Sequence, residues 1–133
     1  MKAQRGPSQL KPRFVSQTMT TQTGSFLPAL MPAFARELEM LMLGLDRSDL
    51  AAQVPSLRLV ARCKCGDRDC AHLYTELPPE GAYGTGHSNL VLPATSGMIV
   101  LDLIDSRIVA VEVLDRPDVK SSLDQYLPLA RSH

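Results

Sequence analysis

From Phe26 onward the apolar residues Leu27, Leu30, Met31, Phe34, Leu38, Leu41, Met42 and Leu45 recur at three- and four-residue steps, the period of one helix face. Arg36, Glu37 and Glu39 fall mostly on the other side. Ser25 suits the cap and Pro28 the first turn. Pro32 has no amide proton, which moves the regular part of the helix to residues 31–32, and Gly44 is placed to end it with a positive φ. Met31, Met40 and Met42 at helical spacing read as core before partner groove. A short second helix is expected from Asp46 or Ser48 through Gln53, stopped by Pro55.

Beyond Pro55 the period changes to two. Leu57–Arg62 and His72–Leu77 predict an antiparallel hairpin over 57–77, with a cysteine turn at its tip. Residues 78–88, with two prolines and three glycines, read as a loop. Its glycines do not lie between a strand and a helix, so they offer no phosphate cradle. Asn89–Leu92 predicts a short strand, and Met98–Leu114 predicts a second hairpin. A three-residue turn, Asp105-Ser106-Arg107, would pair Leu103 with Val109, Leu101 with Val111 and Ile99 with Val113, all core residues, and put Asp102 and Glu112 on the wetter face. A last helix runs from Pro117 to Leu127, closed by Pro128. The expected fold class is α+β: an antiparallel five-strand meander with two N-terminal helices and one C-terminal helix, the helices on one face.

Residues 1–24 show no sustained period and read as a disordered basic tail, leaving 25–133 as a single α+β domain. The chain has 133 residues, 44% of them hydrophobic, which is enough for one core. The net charge of zero hides an asymmetry. Lys2, Arg5, Lys11 and Arg13 stand in the first eighteen residues without an acid, leaving ten basic against fourteen acidic residues beyond. A mildly acidic body argues against broad binding to nucleic-acid phosphates. No segment has the length of a membrane span or the apolar core of a secretory signal. With an odd cysteine count, reduced thiols in a cytoplasm are the expectation.

The stretch Cys63-Lys64-Cys65-Gly66-Asp67-Arg68-Asp69-Cys70-Ala71-His72 holds all three cysteines of the chain. Cys63 and Cys65 project to one side of an extended segment, Gly66 lets the chain reverse, and Cys70 and His72 return on the other arm. Three thiols and an imidazole make a common tetrahedral zinc set, and Lys64, Arg68 and Arg62 would offset its negative charge. The C-x-C spacing is shorter than that of most zinc knuckles, which use the intervening amides to bond sulfur. Plain reduced cysteines packing a hairpin, or a redox or copper(I) role for the C-x-C pair, stay open beside zinc.

This turn, with Tyr74-Thr75, Gly86-His87-Ser88-Asn89, Gly97-Met98 and Val113–Pro117, resembles a loosely defined family of short uncharacterised bacterial proteins with a C-x-C-G-D-x-x-C turn. The resemblance spans roughly residues 26–128 and implies a cysteine-bearing hairpin at Cys63, Cys65 and Cys70, without an activity. In that family the position matching His72 varies, which makes His87 the alternative fourth ligand.

The expected function is a non-enzymatic bacterial interaction or adaptor module, immunity- or antitoxin-like, with a zinc-stabilised Cys3His knuckle, an unidentified protein partner and no membrane role. One alternative is a small enzyme whose Cys-bound metal keeps an open position beside a pocket lined by the Tyr83–His87 loop. Another is nucleic-acid binding through the knuckle with Arg58, Arg62, Lys64 and Arg68. His87 could act as a general base, alone or with a cysteine nucleophile, and Asp102 with Glu112 as an acid/base pair; an exposed loop histidine and solvated strand carboxylates are the commoner roles.

Overall fold

A computed structural model describes residues 25–129. The expected tail over 1–24 and the last residues of the domain expected over 25–133 lie outside the described residues.

The first helical stretch is broken where proline dictates. Helix α1 covers Leu27–Leu30 and α2 covers Pro32–Gly44, with Met31 between them out of helical geometry. Ser25 caps nothing: Ser25–Phe26 form strand β1, which pairs with β2, Arg58–Leu59, and Phe26 takes the cap position. Phe34, Ala35, Leu38 and Met42 bury one face of α2, and Met31 joins them, whereas Met40 is exposed. Gly44 is the last helical residue, and the positive φ falls instead on Asp46. A single turn, α3, Ser48–Ala51, leads into a 3-10 turn at Val54–Ser56 that accommodates Pro55.

The expected strand over 57–62 is divided. Its first half is β2, and its second, β3 (Ala61–Arg62), pairs with β4 (Leu73–Tyr74). β5 (His87–Leu92), β6 (Met98–Ile104) and β7 (Arg107–Leu114) complete a five-stranded antiparallel sheet. Its order is β3-β4-β7-β6-β5, which corrects the meander: the last strand inserts beside β4, and β5 is sent to the far edge. Burial explains the exchange. β7 is buried at Ile108, Val109, Ala110, Val111 and Val113, as a central strand must be, whereas β5 opens with the exposed residues His87, Ser88 and Asn89 and suits an edge.

Within the β6–β7 hairpin, Ile99 faces Val113 and Leu101 faces Val111 as expected. The turn differs. Only Asp105 and Ser106 lie in it, both at positive φ, and Leu103 faces Ile108 because a bulge displaces Val109. A two-residue turn plus one bulged residue restores the register that a three-residue turn would have given.

Helix α4, Pro117–Tyr126, adds Val119 and Leu123 to a core shared by α1, α2 and the inner sheet face, where Leu73, Leu101, Val111 and Val113 are fully buried. Arg116 fastens the layers together. Its guanidinium, 9% exposed, makes two bonds to Glu37 on α2 at 2.7 and 2.9 Å, and two to Asp118 at 3.0 Å. No helix among the described residues is long and apolar enough to cross a membrane.

Candidate metal centre and the pocket beside it

The cysteine turn inherits its geometry from strand pairing. Ala61 faces Tyr74 and Arg62 faces Leu73, and the Cys63 amide continues the ladder by donating to the His72 carbonyl at 3.0 Å. Cys63 and His72 are therefore opposed, and Cys65 and Cys70 follow on the two arms toward the tip. Gly66 reverses the chain at φ 80°, and Asp67 closes the turn by accepting the Asp69 amide on its side chain at 2.8 Å and the Cys70 amide on its carbonyl at 3.1 Å. The tip is clamped to β7, because Cys70 bridges Leu114 and the Asp115 amide donates to the Asp69 carbonyl at 3.0 Å.

The donor atoms of Cys63, Cys70 and His72 all lie within 4.8 Å of one another. Zinc with bonds of roughly 2.0–2.3 Å holds its ligands about 3.5 Å apart, so small side-chain rotations would seat an ion among them. Cys65 is exposed and stands outside the group of three converging donors. An amide-to-sulfur bond forms despite the short C-x-C spacing: the Asp67 amide donates to Cys65 Sγ at 3.5 Å. The Asp67 amide is the main reason that the Cys65 thiol is more acidic than usual, helped by the neighbouring thiols. Burial pushes the Cys70 thiol up to about 11. The same effect keeps His72 neutral, with a lone pair to give, and its buried Nε2 has no hydrogen-bond partner among the described residues. A cation fits this donor set: it would ionise the thiols and use a nitrogen lone pair that burial keeps free of a proton.

The expected basic companions divide. Lys64 and Arg68 are exposed on the turn. Arg62 points inward, 5% exposed, and donates to Asp124 at 2.7 Å and to the Leu127 carbonyl at 3.0 Å, while Arg58 stacks 4.6 Å from the Phe26 ring centroid.

His87 is not brought to the sulfurs. It opens β5, where its Nε2 lies 2.8 Å from Asp102 Oδ1, and the Asn89 side chain donates to the same oxygen at 2.7 Å. Gly86 makes this possible: at φ 89° its backbone packs so close to Asp105 that a Cβ would meet Asp105 Oδ1 at 2.5 Å. Asp102 is buried rather than solvated. Burial alone would raise its pKa, but hydrogen bonds from Glu112, His87 and Asn89 outweigh that and lower it. Glu112 goes the other way, up to about 7, because it supplies the proton that it shares with Asp102 and is itself partly buried. The Tyr83 ring stacks on His87 with centroids 4.7 Å apart. Strand alternation places Asp102 and Glu112 on one face, and the spacing of His87 and Asn89 by two residues is the sequence sign that both reach it.

Tyr83, His87, Asp102 and Glu112 line a cavity of about 330 Å³ on the outer face of the sheet, and His72 is part of its wall. Comparison with protein-family models, curated proteins and solved structures returned no match.

Proposed function

We propose that the domain holds one zinc ion through Cys63, Cys65, Cys70 and His72, that the ion is structural, and that the protein works in the cytoplasm by binding a partner rather than by catalysis. The observation that carries this reading is the convergence of the Cys63, Cys70 and His72 donors within 4.8 Å, from both arms of one hairpin. With Cys65 as fourth ligand the coordination is closed, as in structural sites. A catalytic cysteine needs one activated thiol beside a base, whereas here the three thiols cluster in one turn and His87 is not among the converging donors. A structural ion adds its binding energy to folding. Purified protein is therefore expected to carry close to one zinc per chain and to unfold at lower temperature in chelator. Metal-free protein with an unchanged melt would reject the proposal.

A second reading is favoured by one observation: His72 walls the cavity that also contains Tyr83 and His87. If the exposed Cys65 stood aside, three ligands would leave a coordination position open for a substrate or water. Cys65→Ser separates the two, since a closed site loses metal affinity and an open one keeps it.

A further inference from the structure

The cavity on the outer sheet face has a chemistry that holding a metal does not use. Tyr74 on β4, Tyr83 on the loop, His87 on β5, Asp102 on β6 and Glu112 on β7 line it, and no Lys or Arg does. Asp102 Oδ1 is occupied by His87 and Asn89, and Glu112 lines the same cavity beside Asp102. Two carboxyl groups thus sit side by side, partly buried, with two histidines but no Lys or Arg in the wall.

One further atom is waiting. Tyr83 Oη is buried with no partner among the described residues. Buried polar atoms are nearly always paired, so it marks the place of a missing partner. Glu112 and Tyr83 Oη can each accept a hydrogen bond, so a ligand rich in donors satisfies both. An anion would meet the carboxylates. At about 330 Å³ the cavity is at the small end for ligand sites and fits a head group rather than a whole cofactor.

We propose that this cavity binds an organic cation bearing N–H donors, a guanidinium or primary ammonium head, held by Glu112 and Asp102 against Tyr83. Its source is either a free small amine or an arginine or lysine side chain of a partner polypeptide. The site does not depend on the metal: with His72 committed to an ion, Glu112 and Tyr83 remain.

The test is calorimetric and NMR titration of the protein as purified with methylguanidinium and n-propylammonium, against the neutral methylurea and n-propanol at matched chloride. Saturable binding is expected for the cations, tighter than for the neutral analogues by about tenfold or more, with amide shifts confined to the surroundings of Tyr83, His87, Asp102 and Glu112. Glu112→Gln should weaken it by about tenfold at least, and Tyr83→Phe by less, with both variants melting cooperatively. An acetylated Ala-Arg-Ala amide that binds more tightly than methylguanidinium would identify a polypeptide side chain as the source; no gain from the peptide would identify a free cation. Equal response to cation and neutral analogue, shifts that never saturate, or unchanged binding in Glu112→Gln would overturn the proposal. The same titration in zinc-free protein separates it from the metal reading, because cation binding is expected to persist wherever the fold does.

Discussion

Cys63 and His72 face each other across the β3–β4 hairpin, the amide of one donating to the carbonyl of the other at 3.0 Å. Their side chains therefore leave the same face of the sheet side by side, and the Cys70 donor joins them within 4.8 Å. Cys65 is the exposed member of the four, so its replacement disturbs packing least. Cys65→Ser is expected to lower zinc affinity by roughly tenfold or more, measured by competition with a chromogenic chelator, while a cooperative melt is kept in excess zinc.

The Asp102–Glu112 pair gives a pH signature. The folded value of Glu112, about 7, lies above its ordinary 4.5, so the folded protein keeps a proton that the unfolded chain has released. The stability tied to this proton is complete below the ordinary value and is lost as pH rises to about 7. Asp102 is shifted down, so its own contribution is present above 3.8 and is lost in acid. The groups facing the pair are His87 and Asn89 from β5, Tyr83 from the loop, and His72 and Tyr74 from the β4 side. Melting temperatures of the protein, taken relative to Glu112→Gln, are expected to fall between pH 4.5 and about 7 and to level off above. A difference that grows with pH across that window would contradict the shared proton.

Gly86 holds His87 in place through the close approach of its backbone to Asp105. Gly86→Ala puts a side chain at a φ of 89° and makes the Asp105 carboxylate move aside, the backbone conformation alone costing roughly 1–3 kcal/mol for a non-glycine residue. Urea unfolding should report a loss of that size, and the His87 ring resonances should move.

Arg116→Met removes the guanidinium that joins α2, the start of α4 and the β5–β6 turn, where Ser96 also accepts from it at 3.3 Å. Glu37 would be left half-buried without its partner, for a loss of about 2–4 kcal/mol in denaturant unfolding. A change within half a kcal/mol would mean that the pair is no more than a surface ion pair.

Much of this molecule could be read from residue pattern, and the failures have a common cause. Local rules placed α2, the cysteine hairpin, the β6–β7 hairpin and α4, because each is decided by periodicity, proline or turn chemistry within a few residues. The strand order was not local. It depends on β7 being apolar on both faces from Ile108 to Val111, a sign of a central strand that alternation alone does not weigh. The burial of Asp102 escaped for the same reason, since it is set by His87 and Asn89 from a strand thirteen or more residues away and by the loop that carries Tyr83. The three converging donors, Cys63, Cys70 and His72, were legible because one hairpin supplies them.

The most direct test is metal analysis of untagged protein, with thermal unfolding followed before and after dialysis against a strong chelator. About one zinc per chain is expected, together with a lower melting temperature in chelator that zinc restores and magnesium does not. Protein that purifies without zinc, takes none up and melts at one temperature throughout would show that the three thiols and His72 only pack a hairpin.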